Sequence, residues 1–266
     1  MNIGVVTDEI SRDIDEALRF ATEWGIGLVE LREGAKRRFP FFASHEITAL
    51  DRALVAGTRV TAVSPGIFKQ SAADESKTRS DLADTLPRTI ELAARFSCPL
   101  VIVFGFEKVG VTTQRERVAV QRAFAEAAEQ ASAAGMLLAI ENEPNFWIDG
   151  PEESVSIVNE IGHPGIRLNW DPANRIWGGS SVTRDDFDVL RPLIGNLHVK
   201  DFDPSDAAAP WVPVGSGTIE WAEILGWVAS SGVLSHVTLE THCADGIESS
   251  RQSHERLTEL LTEVSA

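Results

Sequence analysis

Residues 118–143, VAVQRAFAEAAEQASAAGMLLAIENE, hold the pattern that decides the fold. Val120, Phe124, Ala127 and Ala131 recur at helical spacing and give this stretch one apolar face. Gly135 ends the helix. The apolar run at 137–140 that follows is too short for another helix and reads as a strand buried on both faces. A carboxylate, Glu141, closes it. Helix, glycine stop, buried strand and polar strand end make one unit.

Working outward, the same unit recurs. Short apolar runs lie at 3–6, 28–31, 60–63, 100–104, 137–140, 166–170, 197–199 and 237–239, with amphipathic segments between them. Ser11 with Asp13 and Asp15 marks a capped helix start, and Trp24-Gly25 a stop. Pro87 should kink the helix through Leu82, Leu86, Ile90 and Ala93, or delay its start. Eight buried strands alternating with helices are accommodated by a closed parallel barrel, which abolishes both sheet edges. An open doubly wound sheet would call for a glycine-rich turn after the first strand. The turn Val6-Thr7-Asp8-Glu9-Ile10-Ser11 has no glycine. The expectation is an α/β fold, a (β/α)8 TIM barrel, with residues 1–266 as a single domain and 203–217 as a long irregular loop over its active face.

Composition narrows the partners. The 266 residues are 43% hydrophobic and 24% charged, as in an ordinary globular chain. Twenty-four basic residues against 40 acidic ones give a net charge of −16, and Lys36-Arg37-Arg38 is the one basic run. Such a field repels nucleic acid. No apolar stretch approaches the ~18 residues of a membrane span, and the start MNIGVVTDEI reads as a strand rather than a signal peptide. Cys98 and Cys243 are too few for a disulfide framework or a four-cysteine zinc site, so a cytoplasmic protein is expected.

Barrels of this kind carry their chemistry at the C-terminal strand ends. Those positions offer Glu30 and Arg32, Glu141-Asn142-Glu143, Asp171 to Asn174, His198 with Lys200-Asp201, and Glu240-Thr241-His242. Glu141, Asp171, His198 and Glu240 come from four consecutive strands. Three carboxylates converging there repel one another unless protonated or bound to a cation. With one imidazole they form an oxygen-rich set suited to Mn²⁺, Mg²⁺ or Co²⁺, with Zn²⁺ also accepted. Glu143 competes with Glu141, which is favoured because it directly follows the apolar run.

The ordered motifs Leu138-Ala139-Ile140-Glu141-Asn142, Asn169-Trp170-Asp171-Pro172-Ala173-Asn174, His198-Val199-Lys200-Asp201, Pro213-Val214-Gly215-Ser216-Gly217 and Leu239-Glu240 resemble the xylose isomerase-like TIM-barrel superfamily. Val29-Glu30-Leu31-Arg32 fits as well, and the sugar phosphate isomerase/epimerase branch matches best. The resemblance implies one divalent metal held by Glu141, Asp171, His198 and Glu240. It also implies proton transfer by Glu141 and Glu240 on opposite faces of a small sugar or polyol. Dehydratases of the inosose and dehydroshikimate type belong to the same superfamily, and homo-oligomers are frequent in it. Asn174 stands where relatives often carry histidine. Ser64 and Gly105 stand where the DNA-repair branch needs further histidines.

Lys200, two residues beyond His198, shares its face and is a candidate for a substrate oxygen, or for an ion pair with Asp201 or Glu240. Arg32 is a candidate for a substrate carboxylate or phosphate, or for a pair with Glu30. Asn174 and His242 complete the polar substrate candidates. Trp147, Trp177 and Trp211, with Phe68, lie in loops, where each either stacks on a sugar's C–H face or, the better expectation for any single tryptophan, packs within the loops or against a second copy. Gly215-Ser216-Gly217 reads as a tight turn or a phosphate cradle. A barrel that binds a ligand without catalysis is the remaining reading.

Overall fold

The computed structural model describes residues 1–206 and 208–264. Its strands are β1 (Asn2–Val6), β2 (Leu28–Leu31), β3 (Arg59–Val63), β4 (Leu100–Val103), β5 (Leu137–Glu141), β6 (Ile166–Trp170), β7 (Ile194–Val199), β8 (Asp201–Phe202), β9 (Trp211–Val212) and β10 (His236–Leu239). Eight of them close in the order β1-β10-β7-β6-β5-β4-β3-β2, every pair parallel. The fold is the expected TIM barrel.

The strands are near-continuous apolar runs because helices cover the barrel outside. Val5, Val29, Val101, Leu138, Leu197 and Leu239 are fully buried. The Gln114–Ala133 helix buries the stripe Val120, Phe124, Ala127 and Ala131 foreseen from its spacing. It starts on a reciprocal cap, Thr113 Oγ1 accepting from Glu116 N while the Glu116 side chain accepts from Thr113 N.

Two local readings change, while the α-helix that carries Pro87 starts late, at Leu86 and past Leu82, as expected of that proline. Residues Asp81–Thr85 form a π turn in which Leu86 N–H bonds to Asp81 O, and Pro87 falls in the first turn of Leu86–Arg95, where its missing N–H costs little. Strand β7 starts three residues earlier than expected, because Gly195 and the buried Asn196 hide it from an apolar-run reading. The 203–217 segment is not irregular throughout. Asp201–Phe202 and Trp211–Val212 pair as an antiparallel ribbon; Ala207 and residues 265–266 lie outside the described residues. Among the described residues no helix is long and apolar enough to cross a membrane.

Candidate metal centre in the barrel mouth

Glu141, Asp171, His198 and Glu240 are buried together at the C-terminal strand ends, each offering a donor atom within 4.8 Å of the others'. A layer of polar residues inside the barrel supports them. In register, Glu141 pairs with Asn169, Asn169 with Asn196, and Thr238 with His198. Asn169 and Asn196 lie two residues before Asp171 and His198, so strand alternation places them on the same inner face, directly beneath.

Three of the four candidate ligands, Asp171, His198 and Glu240, are held by neighbouring side chains. Asn142 clamps the Asp171 peptide, its Oδ1 accepting from Asp171 N at 2.7 Å and its Nδ2 donating to Asp171 O at 2.8 Å. Asp171 Oδ1 caps the Pro172–Trp177 helix by accepting from Asn174 N at 2.8 Å. Its other oxygen, Oδ2, has no hydrogen-bond partner of good geometry although fully buried, with Lys200 Nζ 2.7 Å away. His198 directs Nε2 to Glu30 at 2.9 Å, and Glu30 also accepts from Asn196 at 2.7 Å. His198 Nδ1 lies 3.1 Å from Asn169 Nδ2 and 3.4 and 3.2 Å from Glu141 and Glu240. An imidazole with one nitrogen tied to a carboxylate and the other turned toward further candidate ligands is the arrangement of metal-binding histidines. Glu240 lies between Arg32 Nη1 at 2.7 Å and Lys200 Nζ at 2.9 Å.

Electrostatics asks for positive charge at this point. Burial opposes a charge on His198, but Glu240 and Glu30 outweigh it and raise the imidazole's pKa. Burial likewise opposes the Glu240 carboxylate, and Lys200, His198 and His242 overcome it to hold Glu240 well below its usual range. Burial and neighbouring Glu141 push Glu143 up to about 7, against the pull of Lys69 and Lys200. The donor set, three carboxylates and one imidazole, fits a divalent cation.

Above the cluster opens a cavity of about 310 Å³, large enough for a small substrate. Glu141, His198, Glu240, Lys200, Asn174, Arg32 and His242 line it. Lys200 pairs with Asp171 and Glu240 rather than Asp201. Asn174 donates through Nδ2 to Asn142 O at 3.0 Å. Arg32 does not pair with Glu30; Asp8, Glu9 and Glu240 occupy its guanidinium. It therefore positions Glu240, and the anion-binding role expected of it is already filled by protein carboxylates. Glu143 lines the cavity but is not part of the four-ligand cluster.

The aromatic expectations divide. Trp211 lines the cavity, with Lys200 Nζ 5.4 Å from its ring centre. Trp177 does not line it. Its ring stands 5.3 Å from both Phe202 and Trp211 and is half exposed. Trp147 is buried away from the cavity, because the loop after β5 bonds back across the end of β4, Trp147 N–H reaching Phe106 O at 2.9 Å. Phe68 is buried too, stacked on Phe106. The Gly215-Ser216-Gly217 turn is filled from within. Asp201 accepts the N–H groups of Gly215, Gly217, Ile219 and Phe202, and a Cβ at Gly217 would fall 2.1 Å from Asp201 Oδ1. No room remains there for a phosphate.

A model of the xylose isomerase-like TIM barrel family matches residues 18–260. The chain belongs to that family. A curated relative, the 3-dehydroshikimate dehydratase of Bacillus anthracis, is 27% identical over 105 residues, a match spanning 34% of this chain and 37% of that enzyme. Among solved structures, an L-ribulose 3-epimerase superposes with a TM-score of 0.82 at 16% identity, covering 100% of this chain and 96% of the other. A xylose isomerase-like TIM-barrel protein from Mycobacterium smegmatis, in complex with magnesium, gives a TM-score of 0.73 at 19% identity over 95% and 89% of the two chains. At such identities the structural likeness speaks to the fold alone.

Proposed function

We propose that this protein is a divalent-metal-dependent isomerase or epimerase of a small hydroxylated carbonyl compound, working through an enediolate. The observation that carries this reading is the four-ligand cluster, Glu141, Asp171, His198 and Glu240, at the floor of a small polar cavity. A bound divalent ion, Mn²⁺, Mg²⁺, Co²⁺ or Zn²⁺, supplies a Lewis acid for negative charge developing on a substrate carbonyl oxygen. Glu141 and Glu240 approach from non-adjacent strands, so one removes the proton beside the carbonyl and the other returns it. Return to the opposite face of the same carbon epimerises; return to the neighbouring carbon isomerises. Arg32 and Lys200 fix the Glu240 carboxylate from its two oxygens, which sets its angle of attack. Trp211 and Asn174 offer the apolar face and amide that orient a polyol.

Elimination of water is the second reading. It begins with the same proton abstraction and adds an acid for the departing hydroxyl. His242, 3.5 Å from Glu240 and facing the cavity, is placed for that step, and the sequence similarity to a dehydratase favours it.

The test couples metal content to exchange chemistry. Elemental analysis should find about one equivalent of metal, lost in Glu240→Ala. Ketoses incubated in D₂O should then gain deuterium beside the carbonyl only with the metal-loaded wild type. A product absorbing as a conjugated enone would transfer the assignment to elimination. Neither metal uptake nor exchange, after incubation with each ion, would refute both readings.

A further inference from the structure

The wall opposite the metal-type cluster is basic in a chain of net charge −16. Arg38 and Lys69 line the cavity there beside Phe104, at the ends of β2, β3 and β4. Arg38 is aimed by Ser64, its Nε donating to Ser64 O and its Nη2 to Ser64 Oγ, both at 3.0 Å. Gly66, at φ +77°, makes room for it, since a Cβ there would sit 2.6 Å from Arg38 Nε. The guanidinium is about three-quarters buried, yet its nearest carboxylate, Glu33, is 3.6 Å away and is taken at 2.8 Å by Arg12. Lys69 Nζ lies 4.5 Å from the Phe104 ring centre, and among the described residues no carboxylate oxygen is within ion-pairing distance of it. Of the two cations facing this part of the cavity, Arg38 thus has only a long pair with a carboxylate that it shares with Arg12, and Lys69 has none within ion-pairing distance, whereas Arg32 and Lys200 are saturated with carboxylates.

Resting on the reading above, we infer that the substrate carries a carboxylate, held by Arg38 and Lys69 across the cavity from the cluster. The substrate class is then a hydroxylated keto acid rather than a neutral sugar. A monoanion suits this wall better than a phosphate dianion, because Glu33 and Glu143 border it and would repel the second charge. A guanidinium edge also matches a planar carboxylate in two-point contact. Phe104 beneath both cations provides an apolar floor that keeps the pairing partly dry.

Quinate and D-glucuronate, each with its methyl ester, serve as probes, with inorganic phosphate as the dianion. Calorimetric titration of the metal-loaded protein should show each acid binding at least ten-fold tighter than its ester. Arg38→Gln and Lys69→Gln should each erase most of that preference while leaving metal content unchanged. Lys69 is exposed and makes no hydrogen bond or ion pair among the described residues, so its variant reads the site even if Arg38→Gln unfolds. Equal binding of acids and esters, acid binding unchanged in Lys69→Gln, or phosphate outcompeting both acids would overturn the carboxylate site. Metal uptake is measured on the same samples. Normal uptake without acid preference defeats this inference alone, and absent uptake defeats the metal reading, while acid preference in the metal-free protein would still report on the basic wall.

Discussion

Glu30 Oε2 stands 2.9 Å from His198 Nε2, reaching across the barrel from a strand that is not a neighbour of β7. Burial alone would raise the Glu30 carboxylate, but the charge and hydrogen bond of His198 bring it below its usual value. An oriented imidazole is a better ligand, because its free nitrogen is fixed in direction and made more basic. Replacing Glu30 with Gln keeps the shape and weakens that control. Glu30→Gln should lower metal affinity by about 10–100-fold with little change in far-UV circular dichroism. Unchanged affinity in a Mn²⁺ titration would mean that Glu30 only fills space.

Asn142 makes two hydrogen bonds to the Asp171 peptide and so ties the end of β5 to the end of β6. Asn142→Ala would strand a buried N–H and a buried carbonyl, each costing about 1–3 kcal/mol. Thermal unfolding should therefore fall by several degrees, and metal affinity should fall with it, since Glu141 and Asp171 lose their common brace. A variant as stable as wild type, by scanning calorimetry, would show that water replaces the amide at no cost.

The barrel and its four candidate ligands were legible because each is a polar interruption at the end of an apolar run, a signal local to a few residues. Glu30 and Arg32 were visible as strand-end residues, but their partners were not. Those partners, His198 and Asn196 for Glu30, and Asp8, Glu9 and Glu240 for Arg32, lie up to 208 residues away in sequence and meet only when the barrel closes. Asp8 and Glu9 sit on a single helical turn, Thr7–Ile10, too short to leave a periodic trace. Asn169 and Asn196 carried a usable signal, standing two residues before a ligand in otherwise apolar strands. Trp147 and Trp177, unlike Trp211, do not line the cavity, for a different reason. Loop position puts a ring near the mouth, but which way it turns is set by backbone bonds such as Trp147 to Phe106, which pattern does not reveal.

Cys98 is buried beside the start of β4, and its Sγ donates to Leu100 O at 3.3 Å. Burial pushes its thiol up to about 12. The half-buried Cys243 is raised as well, chiefly by burial. Because the thiolate is the reactive form, iodoacetamide at pH 8 should leave Cys98 unmodified in the folded protein and label Cys243 slowly. Both should react at once in urea. Mass spectrometry of the native reaction finding Cys98 alkylated first would contradict the burial argument.

Glu9, beside the candidate ligand Glu240, supplies an acid-stability prediction. It accepts from His242 N at 2.6 Å and Thr241 Oγ1 at 3.1 Å and pairs with Arg32 and His242. Burial would raise its pKa, but His242 and Arg32 prevail and lower it from 4.5 to about 2. A carboxylate whose pKa is lowered on folding stabilises the folded state fully above the unfolded value, and the stabilisation is lost as pH falls through the folded one. The window here runs from about pH 4.5 down to about 2, and the amount is on the order of 3 kcal/mol. Glu9→Gln should therefore be less stable than wild type at neutral pH, and the gap should narrow across that window. Urea melts of the two proteins at pH 7, 4 and 3 measure this directly; a gap that stays constant as the pH drops would show that Glu9 does not titrate with unfolding and that its neighbours hold it by shape rather than charge.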